Sequence, residues 1–194
     1  MPNHCLNNLD VSGPAEDVAA FVKATESHKS LVDAFVPMPK ELEGTTSPFR
    51  GTAEEAAELR AKFGGFTDWY EWQNANWGVK WGDYDTELLA HKEGADYAQF
   101  LYTTAWGPMA QAIASISKQF PTLLFEVVYV EEGCCLLGAT AHKAGELVGE
   151  ASVSHDEWPT LVELPNGDYD WDAHQEALRE LSDRVISEVG GMAR

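Results

Sequence analysis

The pattern of apolar and polar positions predicts a chain of alternating strands and helices. Residues 4–11 alternate in polarity and predict a first strand, and residues 97–104 predict a longer one with two distinct faces. Residues 123–130 form a β-branched and aromatic run, which is typical of a buried strand. Weaker strand patterns cover residues 79–84, 134–142 and 146–153.

Five segments have the apolar spacing or the capping signals of helices. The clearest lies within residues 109–120, and its apolar stripe consists of Met109, Ile113, Ile116 and Phe120. Thr52 and Glu55 form a capping box that predicts the start of a second helix. The others are predicted to follow Pro14, to span residues 69–77 and to begin near Asp172.

The order of these elements predicts a fold class. Without a helical insertion at about residues 30–78, the order is strand, helix, strand, strand, helix, strand, which is the split pattern of a ferredoxin-like domain. We therefore predict an α+β fold in which helices cover one face of an antiparallel sheet, with an added C-terminal hairpin and a final helix. Residues 1–158 are predicted to form this domain, and residues 159–194 a loop and a C-terminal helix that pack on it.

The charge of the chain is strongly negative. Thirteen Lys and Arg residues stand against 32 Asp and Glu residues, which gives a formal net charge of −19 over 194 residues. Such a field repels phosphate backbones and anionic membranes and attracts basic surfaces. Solubility is the simpler explanation of this charge, and the alternative is a surface that mimics nucleic acid or docks on a nucleic-acid-binding protein. The acidic excess is high within residues 93–170, where the candidate partner-binding residues are Glu126, Glu131, Glu132, Glu146 and Glu150.

The sequence carries no recognisable catalytic or cofactor motif. His4, Cys5, Cys134, Cys135 and His142 are the candidate soft metal ligands, but their spacing matches no zinc motif. Phosphate-binding loops and a nucleophile elbow are also lacking. We therefore predict no enzymatic activity, no cofactor and no metal, and we keep an enzyme with an unrecognised acidic metal site as an alternative.

Compartment and assembly are predicted from simpler features. The first residues lack the basic and apolar regions of a signal peptide, and no apolar run is long enough for a membrane span. We therefore expect a cytoplasmic protein. A sheet edge after Val153 leaves a homodimer open.

Five of the seven tryptophans lie within residues 69–106: Trp69, Trp72, Trp77, Trp81 and Trp106. We interpret all five as structural aromatic residues that fix the inserted helix to the sheet. The alternative is a platform on which bases stack, as in ferredoxin-like RNA-binding domains. The negative charge of the chain disfavours such direct nucleic-acid binding.

Several motifs together resemble a known family. They are residues 1–8 (MPNHCLNN), 69–81 (WYEWQNANWGVKW) and 102–108 (YTTAWGP). In this order they resemble the YubB-like ferredoxin-like domain family of phage and plasmid proteins, over residues 1 to about 154. The resemblance implies an accessory protein used inside a bacterial host. Our hypothesis is a non-enzymatic protein that binds and inhibits or modulates a host protein, such as a defence or nucleic-acid-processing factor, by occlusion or nucleic-acid mimicry.

Overall fold

The structure is a computed structural model that describes residues 3–193. Six strands form one antiparallel sheet in the order β2-β3-β1-β4-β5-β6. The order of the first four strands is that of a ferredoxin-like domain, and β5 and β6 extend the sheet as a hairpin beyond β4. The predicted fold class is therefore confirmed. The strands are β1 (His4–Ser12), β2 (Tyr84–Ala90), β3 (Tyr97–Ala105), β4 (Leu124–Glu131), β5 (Leu136–Lys143) and β6 (Glu146–Ser152).

Six α-helices lie within the described residues. Two of them, α1 and α5, are the helices of the ferredoxin-like unit, whereas α2, α3 and α4 belong to the insertion between β1 and β2. Short 3-10 turns occur at Lys40–Leu42, Glu132–Cys134 and His155–Glu157. The helices are α1 (Ala15–Thr25), α2 (Leu31–Phe35), α3 (Ala53–Lys62), α4 (Trp69–Trp77), α5 (Ala110–Gln119) and α6 (Trp171–Met192).

The main core lies between the sheet and helices α1 and α5. Phe21 of α1 is fully buried at its centre, where its ring packs against the rings of Phe100 on β3 and Phe125 on β4. Helix α2 contributes Phe35, whose ring stacks on that of Phe21 at a centroid distance of 5.0 Å. The insertion is therefore part of the core and does not project away from it.

The C-terminal helix α6 covers the opposite face of the sheet. Its residues Leu178, Val185 and Val189 pack against a second apolar cluster on β5 and β6 that includes Leu137 and Ala139. Helices on one face were predicted, and this holds for α1 and α5, whereas α6 gives the sheet a second covered face over β4, β5 and β6. The physical reason is that the small apolar side chains of β5 alternate toward that face and need a cover.

Two element boundaries differ from the sequence prediction. The strand predicted over residues 79–84 begins only at Tyr84, because Trp81 and Gly82 have positive φ angles of 72° and 66°, and two such residues in succession turn the chain away from the extended conformation. The last helix continues through Gly190 to Met192, because Val189 is buried against β6. This packing offsets the roughly 1 kcal/mol that each helical glycine costs.

Candidate functional site

The tryptophans divide into two groups that the sequence did not separate. Trp72 and Trp77 are 9% and 5% exposed and belong to the main core, where their rings meet edge to face at 5.5 Å. The indole Nε1–H of Trp77 donates to the carbonyl oxygen of Val36 at 2.8 Å, which attaches α4 to the end of α2. Trp69 is half-buried at the start of α4, and its backbone N–H donates to Thr45 Oγ1. These three residues have the structural role that was predicted.

Trp81 and Trp106, which we call the indole pair, are exposed instead. They are 48% and 47% exposed, so neither lies in the core, and the structural role predicted for them stays a prediction. Trp81 lies in the loop between α4 and β2, and Trp106 lies between β3 and α5. The sequence does not separate them from the buried tryptophans, because the buried Trp77 also precedes a glycine and residues 79–84, which include Trp81, were predicted as a strand.

One cation joins the two rings of the indole pair. Lys80 Nζ lies 4.2 Å from the ring centroid of Trp81 and 5.7 Å from that of Trp106. Both distances are within the range of a cation–π attraction, which contributes roughly 0.5–1 kcal/mol at an exposed site. The ammonium group therefore holds two large indoles next to each other at the surface.

A surface pocket with a volume of about 470 Å³ lies beside the indole pair, and we call it the tryptophan pocket. Such a volume lies within the range of ligand and side-chain binding pockets. Its walls come from α4, from the loop that contains Lys80, and from the loop before α5. The lining residues are Tyr70, Asn74, Gly78, Val79, Lys80, Ala105, Trp106, Gly107 and Pro108.

The floor of the tryptophan pocket depends on a close approach of two helices at Gly78. This residue ends α4 with a φ of 86°, a conformation that favours glycine. A Cβ atom at this position would lie 1.9 Å from Oε1 of Gln111 on α5. Glycine is therefore favoured by the backbone conformation, and any other residue here would also displace the end of the Gln111 side chain.

The backbone of the indole pair is strained and is held by specific hydrogen bonds. Trp81 and Trp106 have φ angles of 72° and 73°, a left-handed conformation that costs a residue with a side chain roughly 1–2 kcal/mol. The N–H of Trp81 donates to Oε1 of the buried Gln73 at 2.7 Å. The N–H of Trp106 donates to the carbonyl oxygen of Asn3 at 3.1 Å. Strain of this kind is concentrated at functional sites, where the surrounding structure maintains it.

Buried polar residues position the loop that carries Trp106. Asn7 Nδ2 donates to Thr104 Oγ1 at 2.8 Å, and Thr104 Oγ1 donates to the carbonyl oxygen of Gly107 at 2.7 Å. Asn7 and Thr104 are both fully buried. These hydrogen bonds connect Asn7, Thr104 and Gly107 in series, so buried groups of the sheet fix the position of the loop.

The five predicted partner-binding carboxylates do not form a single patch. Glu126 of β4 and Glu146 of β6 lie on the face that α6 covers, whereas Glu150 lies on the face of α5. Glu132 is in the turn after β4, where its carboxylate contacts His174 and Gln175 of α6. The structure therefore distributes these residues over both faces of the sheet.

Glu131 requires a correction. It is 2% exposed, and its carboxylate accepts hydrogen bonds from the N–H groups of Gly133 at 2.7 Å and Cys134 at 2.9 Å. Its role is to cap the turn that follows β4, so it is not available to a partner. The sequence did not reveal this because residues 131–133 lie between two predicted strands, and strand periodicity does not show that a carboxylate caps the turn there.

Two buried titratable groups outside the tryptophan pocket, Asp83 and Cys5, have pKa values that burial raises. Asp83 accepts from the N–H groups of Leu31 and Val32 at 2.7 and 3.0 Å and thereby caps α2, while burial raises the pKa of its carboxyl group. Burial raises the pKa of the Cys5 thiol to about 12, so this thiol is not a nucleophile at neutral pH. Among residues 3–193, His, Cys, Asp and Glu side chains form no group of three or more that is arranged to hold a metal ion.

The comparisons with known proteins agree with the fold. Residues 76–159 match the model of a family described as the ferredoxin-like domain in Api92-like protein. The matched segment contains both members of the indole pair and all strands from β2 to β6. None of the curated proteins matches this chain.

A solved structure is similar over most of the chain. The crystal structure of the protein api92 from Yersinia pseudotuberculosis aligns with a TM-score of 0.53, and it covers 79% of this chain and 99% of that one. The sequence identity is 9%, so this likeness shows the fold alone. The resemblance to the YubB-like family of phage and plasmid proteins stays a prediction.

No helix of the described residues has both the length and the apolar character that crossing a membrane requires.

Proposed function

We propose that this chain is a non-enzymatic binding protein and that the indole pair with the tryptophan pocket is the centre of its contact with a partner protein. The observation that carries the proposal is the exposure of Trp81 and Trp106 in a strained backbone that buried residues hold in place. Tryptophan is among the residues that dominate binding energy at protein interfaces. Rings that are already positioned lose little conformational entropy on binding, and this favours affinity.

The charge of the chain indicates the nature of the partner. A net charge of −19 attracts a protein with a basic surface and accelerates its association. Together with the resemblance to phage and plasmid proteins, this supports an accessory protein of a phage or another mobile element in the cytoplasm of its bacterial host. Its target would be a host defence or nucleic-acid-processing factor, inhibited or modulated by occlusion or by nucleic-acid mimicry.

Direct nucleic-acid binding is the alternative that the geometry of the sheet raises. The side chains of Leu6 and Tyr97 are half-exposed on the face of β1 and β3 that points away from α1 and α5. However, β1, β2 and β3 contain no Lys or Arg and carry Asp10, Asp85 and Glu87. Phosphate groups on this face would meet carboxylates without compensating cations, so the observations favour a protein partner.

The proposal is tested by capture of the partner from host lysate, followed by reconstitution with the purified partner. The dissociation constant is measured for the wild-type protein and for the double variant Trp81→Ala/Trp106→Ala. Because each hot-spot residue contributes about 2 kcal/mol or more, we expect the double variant to bind at least about 30-fold more weakly. Raising the salt from about 0.1 M to about 1 M shortens the Debye length from about 10 Å to about 3 Å and is expected to weaken binding further.

Trp171→Ala provides a matched control. Trp171 is 50% exposed at the start of α6 and does not line the tryptophan pocket, so this variant removes an equally exposed indole that is not part of the proposed site. We expect its affinity to equal that of the wild type. Equal binding by the double variant and the wild type would refute the proposal, as would tight binding of oligonucleotides at physiological salt.

A further inference from the structure

The two edges of the sheet differ in their ability to accept another strand. The pairing of β2 with β3 contains two register shifts, and Asp85 within β2 has a φ of 52°, so this edge is irregular. Bulges of this kind protect an edge against pairing. At the other edge, β6 has one register shift near its start and pairs regularly with β5 from Gly149 to Ser152. Within residues 3–193, β6 is the last strand of the sheet at this edge.

The register of β6 shows which of its amide groups face outward. The N–H of Val153 donates to the carbonyl oxygen of Leu137 on β5 at 2.9 Å. Because amide directions alternate along a strand, the N–H groups of Gly149 and Ala151 also point toward β5. Those of Glu150 and Ser152 therefore point away from the sheet, where an added strand would find them.

The charges on β6 favour one kind of added strand. Glu146 and Glu150 are both exposed, and Leu147 between them is 51% exposed. A second copy paired antiparallel about Glu150 would place the two Glu150 carboxylates opposite each other, and like charges in opposite positions are destabilising. Two chains of net charge −19 also repel each other. An extended segment with Lys or Arg opposite Glu150 would instead form a favourable cross-strand pair.

We propose that β6 accepts an extended segment of the partner protein, bearing lysine or arginine, as a seventh strand of the sheet. Backbone hydrogen bonds to Glu150 and Ser152 provide affinity, and the exposed carboxylate of Glu150 selects a basic side chain opposite it. This inference relies on the proposed function for the basic character of the partner. It concerns the edge opposite to β2, and therefore a different surface from the tryptophan pocket.

A simple peptide tests the inference on the full-length protein. The probe is a peptide of about ten residues that alternates lysine and threonine, and the control peptide replaces each lysine with glutamate. Amide hydrogen exchange is followed by NMR with increasing peptide concentration. We expect the basic peptide to slow the exchange of the Glu150 and Ser152 amides, and the acidic peptide to leave them unchanged.

A matched pair of variants separates strand addition from simple charge attraction. Ser152→Pro removes an outward N–H without breaking a bond to β5, and proline is tolerated on an edge strand in this orientation. We expect it to weaken peptide binding about tenfold, since one backbone hydrogen bond is lost and the proline ring blocks the approach. Ser152→Ala retains the N–H and is expected to bind like the wild type.

Three results would overturn the inference. In the first, the two amides exchange at an unchanged rate at peptide concentrations up to about 1 mM. In the second, the acidic peptide slows their exchange as much as the basic peptide does. In the third, self-association of the protein slows their exchange without any peptide. The reconstituted partner distinguishes this inference from the proposed function. If Trp81→Ala/Trp106→Ala abolishes partner binding and Ser152→Pro does not affect it, the proposed function stands and the seventh strand is refuted.

Discussion

Trp77 and Trp81 are four positions apart in the same segment and have opposite roles. Trp77 ends α4, is 5% exposed, and donates an indole hydrogen bond to Val36. Trp81 is 48% exposed in a left-handed backbone conformation beside Lys80. Similar composition therefore produces a core anchor where the helix orients the ring inward, and an exposed ring where a strained loop orients it outward. The degree of burial therefore separates a tryptophan that stabilises the fold, Trp77, from one that is available for binding, Trp81.

The largest expected effect is on the buried side of this comparison. Trp77→Ala removes a buried indole and its hydrogen bond, and we expect it to lower the free energy of unfolding by about 3–5 kcal/mol in urea denaturation. Trp81→Ala should change it by less than about 1 kcal/mol, because the ring already contacts solvent. Equal losses for the two variants would show that Trp81 is a core residue and would remove the basis of the comparison.

The sequence predicts the elements that depend on local chemistry. The capping box of Thr52 and Glu55 and the helix over residues 69–77 are both present in the structure, because each depends on residues within one turn. The fold class also follows from the order of these elements. The position of α6 on the second face could not be predicted, since periodicity shows that a helix has an apolar stripe and not which surface it covers.

The candidate site is less accessible to sequence reasoning than the fold. The sequence singles out the tryptophans, but the exposure of Trp81 and Trp106 depends on their φ angles, which hydrogen bonds to other parts of the chain impose. Gln73 holds Trp81, and the main chain of Asn3 holds Trp106, across many residues of sequence. Glu131 was misassigned because its carboxylate caps the turn between two strands, a contact that the strand pattern on either side does not show.

Backbone strain at Trp106 provides the next sharpest test. Trp106→Gly and Trp106→Ala both remove the ring, but only glycine adopts a φ of 73° without a steric penalty. We therefore expect the glycine variant to have the higher free energy of unfolding, by about 1 kcal/mol. At the helical position Trp171 the order should reverse, with glycine less stable than alanine. If alanine were the more stable variant at both positions, the backbone at Trp106 would carry no strain.

The smallest expected effect concerns the cation between the two rings. A double-mutant cycle of Lys80→Gln with Trp81→Ala should give a coupling energy of about 0.5–1 kcal/mol. The cycle of Lys80→Gln with Trp106→Ala should give a smaller coupling energy, because Lys80 Nζ is 4.2 Å from the Trp81 ring and 5.7 Å from the Trp106 ring. Urea denaturation of the four proteins in each cycle provides the measurement. Zero coupling in both cycles would show that Lys80 does not organise the indole pair.

If the coupling is present, Lys80→Gln should weaken partner binding more than it destabilises the fold. The variant releases two exposed rings, and under the proposed function their fixed arrangement serves the interface and contributes little to the core.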